Sequence, residues 1–313
     1  PIPSRRLGIS LGIDLVPHKI CSFNCVYCEC GKNTKLTTER KEYKPAQEIL
    51  DEIADYLSKN PHPDFISLAG SGEPTLHSKI GLIINSIKIS YPEIKIAVMT
   101  NSSLLPLAEV RSELMDSDIV LPSLDGATQD SFIHIDRPHP SIKLNDVING
   151  IALFTKEFKS VSPDKKVWLE IFILENINDD SNNIIKLKEA CQLINPDKIQ
   201  LNSLDRPGTE KWVTQASKGT LYRVMKGLNM PQVEIISKFK NRSEIIAYRN
   251  DIENTILETI SRRPSSSEDL CFILGLKKEE LNKYIDILEL EKKIKAEILI
   301  NKNERNIFYK ITN

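Results

Sequence analysis

The sequence carries almost no net charge: 42 Lys and Arg stand against 43 Asp and Glu, a formal balance of −1. No global basic field therefore advertises a nucleic-acid partner. No apolar run reaches the roughly 20 residues of a membrane span, so no membrane partner is expected. No secretory signal opens the chain, and its start at Pro1 rather than Met leads us to expect a few further native residues upstream. Cysteine is sparse, 6 in 313 residues, and lacks the paired spacings of a disulfide framework. A chain of this length does not need such staples. A reducing, cytoplasmic location is the expectation. The length and the 40% hydrophobic content suit two domains, or one large domain with an appendage.

Half of the cysteine is concentrated in one stretch, Cys21-Ser-Phe-Asn-Cys25-Val-Tyr-Cys28. A 4Fe-4S cluster has four irons to ligate, usually through thiolates. Three local thiolates would leave one iron open to a small molecule. Half of a zinc site is the competing reading, but the second Cys or His pair of such sites is missing. Cys30 is a spare thiol, an alternative ligand or a reactive group. Non-ligand is the expectation, because two residues from Cys28 is too close to serve the same cubane face. Cys191 and Cys271 fall in apolar helical patterns and read as small core residues.

Around this loop the chain alternates. Ile9, Leu11, Ile13 and Leu15 keep a strand period, with Arg5 and Arg6 before them as surface charges or as binders of a phosphate or carboxylate. Residues 31–43 are polar and read as a flexible excursion. Pro45 opens a helix over Ala46–Lys59. A short apolar strand from Asp64 then runs into Ser71-Gly72-Glu73-Pro74, followed by His77, a helix-start surface residue. Helices over Ile80–Ser90, Pro106–Ser117, Leu144–Phe158 and Asn183–Ile194 separate strands over Ile94–Thr100, Ile119–Leu124, Val167–Leu174 and Ile199–Asn202. Strands and helices in that rhythm make βαβ units and a parallel sheet. Ligands in such folds sit at the C-terminal ends of strands. That rule marks Asn101, Ser102, Ser123, Asp125, Glu170 and Asn202, each with a plain alternative as a cap or turn residue. Glu170 interrupts an apolar strand, so it faces the lumen or the strand register is shifted by one. Arg137 and Arg206 each follow an Asp and precede a Pro. They reach an anionic substrate or pair with carboxylates, the second being favoured.

The C-x3-C-x-aromatic-C spacing, with Tyr27 before the last cysteine, resembles the signature loop of the radical S-adenosylmethionine (SAM) superfamily. Ser71-Gly72-Glu73-Pro74 resembles its GGEP-like motif, with Ser for the first Gly. An ordinary Gly-Pro turn is the plain alternative. The resemblance implies a partial (β/α)6 barrel, where six strands alone would equally fit a doubly wound sheet. It also implies Cys21, Cys25 and Cys28 as ligands of a 4Fe-4S cluster whose open iron is chelated by SAM. The cluster passes an electron to the sulfonium, and a 5′-deoxyadenosyl radical abstracts a substrate hydrogen. Ser71, Gly72, Glu73 and Pro74 would hold the SAM ammonium. Asn101, Ser102, Ser123 and Asp125, with Tyr27, would complete the SAM pocket around its ribose and carboxylate. An electron donor such as flavodoxin or ferredoxin is implied.

Pro3-Ser4-Arg5-Arg6-Leu7-Gly8, the run Leu11–Pro17 and the run Gln200–Pro207 resemble the group related to wyosine-tRNA (imidazoguanosine-forming) synthetases. The second N-terminal cluster of those synthetases has no counterpart cysteines here. Residues 1–210 are expected to be the catalytic domain, 211–250 a tether with a helix around Leu221–Leu228, and 251–313 a winged-helix-like domain. In that tail, helices over Ile252–Ser261, Ser265–Leu274 and Lys277–Leu290 precede a hairpin of Ile294–Ile300 and Asn306–Ile311. Its 11 Lys and Arg against 12 Asp and Glu suit DNA poorly. Three readings follow: an oxidoreductase-type radical enzyme acting on RNA or a nucleoside, one modifying a protein or peptide docked by the winged helix, and an iron–sulfur DNA-binding sensor. The Gly72-Glu73-Pro74 motif argues against the last, since a sensor needs no SAM pocket.

Overall fold

The computed structural model describes residues 2–4, 6–204, 208–236, 252–276, 281, 284–285, 288–289, 291–301 and 304–312. The expectations for Arg5, Asp205, Arg206 and Pro207, and most of the third tail helix, lie outside the described residues.

The chain begins as an antiparallel pair, β1 (Ile2–Ser4) and β2 (Gly8–Ile13), and a short parallel pair follows, β3 (Ile20–Cys21) and β4 (Lys35–Leu36). Then come α1 (Ala46–Lys59), β5 (Phe65–Leu68), α2 (Ile80–Ser90), β6 (Lys95–Thr100), α3 (Ala108–Glu113), β7 (Ile119–Pro122), α4 (Gln129–Asp136) and α5 (Leu144–Val161). β8 (Lys166–Phe172), α6 (Ser181–Ile194), β9 (Lys198–Asn202), α7 (Lys218–Leu228) and β10 (Val233–Ile235) complete the larger unit. One eight-stranded sheet runs β1-β2-β5-β6-β7-β8-β9-β10. All neighbours from β2 to β10 are parallel. Between its edges β1 and β10 the sheet is open, an α/β partial barrel rather than a closed one.

Alternation decides which side each strand residue serves. Ile66, Leu68, Ile96, Val98, Val120, Leu169, Ile171 and Leu201 join the helices in the main core. α1 contributes Ile49, Ile53 and Leu57, spaced one helical turn apart. The opposite, inner face packs Leu7, Ala97, Ile119 and Leu121 with Phe65, Met99 and Trp168. A third cluster seats the cysteine loop: Val26 is fully buried against Ile135, Phe172, Leu174, Leu204 and Val213. Full burial of a Val side chain is worth about 2 kcal/mol, which helps to anchor the stretch between β3 and β4.

Of the span 211–250, expected as a tether with a helix around Leu221–Leu228, the described residues 211–236 hold that helix as α7, whose Leu221, Val224 and Leu228 enter the main core, and an unexpected strand, β10, which extends the sheet. α4 was not foreseen because only Phe132 and Ile135 mark its apolar side. A reciprocal Thr128–Ser131 capping box starts it.

In the tail, α8 (Ile252–Arg262), β11 (Ser265–Ser266), α9 (Ser267–Leu274), β12 (Ile294–Asn301) and β13 (Glu304–Ile311) form a three-stranded sheet ordered β11-β13-β12 with helices beside it. Ser266 and Asp269 cap α9 reciprocally, and Gly275 ends it at φ 66. A separate core holds Ile256, Ile260, Leu270, Leu281, Ile285, Leu288 and Ile294. Among the described residues, no helix is long and apolar enough to cross a membrane.

Candidate active site

The loop after β2 carries Cys21, Cys25 and Cys28, all with free thiols and partly exposed. Local bonds fix it from several sides. Val26 N–H donates to Ile135 O at 2.9 Å and Asn24 N–H to Asp136 O at 2.9 Å, tying the loop to the end of α4. Glu210 N–H donates to Val26 O at 3.0 Å, and Thr209 Oγ1 donates to Cys28 O at 2.9 Å. A Cβ at Gly208 would lie 2.9 Å from Tyr27 O, so only glycine allows this approach. The polar stretch 31–43, expected as a flexible excursion, is pinned: Thr37 N–H donates to Cys21 O at 3.0 Å and Lys41 N–H to Leu76 O at 3.1 Å.

Two nitrogens point at the sulfurs. Lys19 Nζ lies 3.0 Å from Cys28 Sγ, and Asn101 Nδ2 lies 3.5 Å from Cys21 Sγ. Burial pushes the Cys21 thiol up to about 12, with the Glu73 charge adding to it. Burial, then Asp136, pushes Cys25 up as well. Cys28 is drawn down to about 5 by a hydrogen bond from Cys30, against burial and with help from Lys19. Cys30 is pushed up by that same bond and by burial, and its Sγ lies 3.5 Å from Arg262 O. Burial opposes the charge on Lys19, but Cys28, Cys21 and Cys25 together hold its ammonium above the ordinary lysine range.

The Ser71-Gly72-Glu73-Pro74 turn is packed into the base of this loop. A Cβ at Gly72 would lie 2.3 Å from Ile20 O, and Glu73 N–H donates to Ile20 O at 3.2 Å. Ser71 N–H donates to Asp14 Oδ1 at 2.8 Å. The buried Glu73 carboxylate accepts four bonds: at Oε1 from Thr75 N–H, 3.1 Å, Thr75 Oγ1, 2.5 Å, and Thr100 Oγ1, 2.7 Å, and at Oε2 from Asn101 N–H, 2.8 Å. Burial raises its pKa and these bonds oppose the rise. His77, expected at the surface, is fully buried. Its Nε2–H donates to Lys44 O at 2.8 Å and its Nδ1 accepts Lys79 N–H at 3.2 Å, and burial lowers its pKa.

One small cavity collects Cys25, Tyr27, Asn101, Ser123 and Asp125 with Phe23 and Asp136. Tyr27 stacks on Phe172, centroids 3.9 Å apart, and its hydroxyl donates to Asp125 Oδ2. Asp125 Oδ1 accepts Phe172 N–H at 2.7 Å. Burial pushes Asp125 up to about 6, and burial with the Asp125 charge pushes Asp136 well above the usual carboxylate range, so two buried acids that both line this cavity disfavour carrying two charges at once. Cys25 Sγ lies 3.7 Å from Asp136 Oδ1.

Ser71, Gly72, Glu73, Pro74 and Ser102 stand beside this cavity rather than in its lining. Ser102, at φ 70, donates through Oγ to Ser123 O at 2.9 Å and so links the ends of β6 and β7. Glu170 shares the inner face with Trp168 and pairs with Arg6. Arg137 pairs with Glu210 at 2.6 Å, as favoured from sequence, though not with Asp136. Lys19, Thr75, Thr100 and Asp136 had no motif to mark them. The one available signal was Asp136 beside Arg137-Pro138.

The donor set can be matched to a metal group. Among the described residues no three His, Cys, Asp or Glu side chains converge on a single point, as a mononuclear zinc would need. A cubane engages each thiolate at a different iron, and N–H donors toward the sulfurs are its usual surroundings. Three thiols on one loop with Lys19 and Asn101 beside them fit a cluster with one open iron.

The sequence profile described as "Radical SAM superfamily" matches residues 15–187. A UPF0026 protein of Methanocaldococcus jannaschii is 30% identical over 289 residues, covering 90% of this chain and 85% of its own. A protein of Brachyspira hyodysenteriae named GTPase Obg is 36% identical over 239 residues, 76% of this chain. The chain spans only 32% of that longer protein. Among solved structures, Streptococcus suis SuiB bound to S-adenosylmethionine superposes with a TM-score of 0.52 at 16% identity, covering 74% of this chain and 51% of SuiB. The chain belongs to the radical SAM superfamily, an enzyme family that uses a 4Fe-4S cluster and S-adenosylmethionine.

Proposed function

We propose that Cys21, Cys25 and Cys28 hold the 4Fe-4S cluster and that SAM binds over its open iron, against the strand ends that carry Asn101, Ser123 and Asp125. The observation that carries this is the convergence of Cys25, Tyr27, Asn101, Ser123 and Asp125 on one cavity at the C-terminal strand ends. When bound, the cluster supplies one-electron cleavage of SAM and so the hydrogen abstraction of the superfamily.

The chain's own residues divide the remaining work. Asp125, with a carboxylate oxygen beside the Tyr27 hydroxyl, offers acceptors for the ribose hydroxyls. Ser123 lines the same cavity. Gly72 lets the turn approach the cysteine loop, so its backbone is placed to meet the SAM ammonium. Glu73 supports that role from behind, since its carboxylate is already engaged by Thr75, Thr100 and Asn101. Val26 and the stretch 208–213 seat the loop and help to keep water from the site. A reductant of the flavodoxin or ferredoxin class supplies the electron, and the cytoplasm is its setting.

The described residues between 252 and 312 belong to the winged-helix-like module of this reading. RNA or a nucleoside as substrate rests on the resemblance to the wyosine-tRNA group. A protein or peptide substrate is favoured by one surface feature. Ile298 and Ile307, paired across β12 and β13, are both about half exposed, an apolar spot on a unit without net positive charge.

The test is anaerobic reconstitution with iron and sulfide, then reduction with SAM and quantification of 5′-deoxyadenosine. Wild type is expected to form it. A fully loaded cluster that leaves SAM intact would return the iron–sulfur sensor as the better reading. Tight co-purification of tRNA would favour the RNA substrate over the peptide.

A further inference from the structure

Lys19 is 2% exposed, yet its side chain is a cation. A buried charge without a counter-charge is strongly unfavourable. Among the described residues no carboxylate lies within ion-pair distance of Lys19. The contact its ammonium does make is with Cys28 Sγ, at 3.0 Å. The backbone holds it there against its own preference. Lys19 sits at φ 58, a left-handed conformation uncommon for a residue with a side chain. Its N–H donates to Ser71 O at 2.9 Å and its carbonyl accepts Thr34 N–H at 3.0 Å. The cysteine loop and the Gly72 turn thus jointly aim one ammonium at one sulfur.

We propose that Lys19 is a positioning residue for electron entry: its N–H bond to the Cys28 thiolate raises the reduction potential of the cluster. This rests on the reading that Cys28 is a ligand. Each electron taken up adds one negative charge to the cluster and its thiolates. An ammonium 3.0 Å from one ligand stabilises that charge more in the reduced state than in the oxidised one. Low dielectric around a buried site strengthens the effect. The chemical consequence is a cluster that a biological one-electron donor of modest potential can reduce.

The experiment is a potentiometric titration of the reconstituted full chain without SAM, followed by EPR of the reduced cluster. Iron and sulfide content are measured first. Lys19→Met is expected to load its cluster and to become harder to reduce by at least tenfold in the equilibrium, a shift of about 59 mV to the negative for a one-electron couple. Lys19→Arg is expected to stay near wild type, and Lys19→Gln, a neutral donor, to fall between. A merely structural lysine would change loading or melting without moving the midpoint. An unchanged midpoint in either loaded neutral variant overturns the proposal. So does a failure of both neutral variants to load while Lys19→Arg loads, since that makes Lys19 an assembly residue. If wild type itself takes up no cluster, the ligand assignment fails instead. SAM binding to the oxidised variants is measured alongside. A loss of SAM affinity with no change in potential would reassign Lys19 to ligand binding and overturn the tuning role.

Discussion

Glu73 and Asp125 follow the C-terminal ends of β5 and β7 in one sheet, Asp136 ends α4, and all three are at most 3% exposed. Glu73 spends both oxygens on Thr75, Thr100 and Asn101, three residues of its own scaffold. The aspartates line a cavity next to Cys25, and burial raises the pKa of both. Burial depth alone therefore does not mark a ligand site. Both Glu73 and Asp125 have each oxygen bonded to the scaffold, and what separates them is the cavity: Asp125 and Asp136 line it, and Glu73 does not.

The comparison can be broken in several ways. The largest effect is expected at Cys25, which stands beside Asp136. Cys25→Ala should abolish 5′-deoxyadenosine formation below detection and lower iron content after reconstitution. If the variant still cleaves SAM, the cavity is not at the cluster.

Glu73→Ala comes next. It leaves four donor contacts without an acceptor, and each buried unmet donor costs about 1–3 kcal/mol. A loss of about 4 kcal/mol in urea unfolding is expected, with Glu73→Gln losing roughly half of that. If Glu73→Ala unfolds like wild type but binds SAM much more weakly, Glu73 faces the ligand and is no brace.

Asp125 sharpens the other side through pH. Its folded pKa is raised from 3.8 to about 6. An acid raised on folding favours the folded state fully below its unfolded pKa. That contribution is lost as pH rises from 3.8 through about 6. The difference is worth about 3 kcal/mol. Asp136, also raised well above 3.8, adds a loss of the same sign. Asp125→Asn should therefore be the more stable protein at pH near 8 and lose the advantage near pH 4. Equal pH profiles for the two proteins would remove the raised Asp125 from the account.

The smallest effect is expected from Tyr27→Phe. The ring keeps its stack on Phe172, and only the hydroxyl bond to Asp125 is lost, about 1 kcal/mol by thermal melting with cluster content unchanged. A collapse of cluster content would instead make the hydroxyl part of the loop's support.

The readability of the chain followed the range of the interactions involved. α1 and α2 lie where their periodic Ile and Leu put them, at Ala46–Lys59 and Ile80–Ser90. α4 is not marked because its three apolar residues, Phe132, Ile133 and Ile135, cluster without a helical period, and a local hydroxyl box starts it. β10 is not marked in the sequence because Val233-Glu234-Ile235 is too short a run to show a period and depends on β9 for its partner. The expectation of a surface His77 fails for a related reason: its Nε2–H finds the carbonyl of Lys44, 33 residues earlier in the chain.

By itself the sequence determined the three-cysteine spacing, the Gly72-Glu73-Pro74 turn and the alternation that makes a parallel sheet. Each is a short-range pattern, and short-range patterns survive in one dimension. Only the tertiary structure decided that Glu73 braces Thr100 and Asn101, that Asp136 and Asp125 line one cavity, and that residues 208–213 clasp the cysteine loop. It also decided that Lys19 points at Cys28. These pairings join side chains from separate loops and strand ends, or depend on a left-handed backbone turn. They exist only once burial has excluded water and left each polar group to find its partner within the protein.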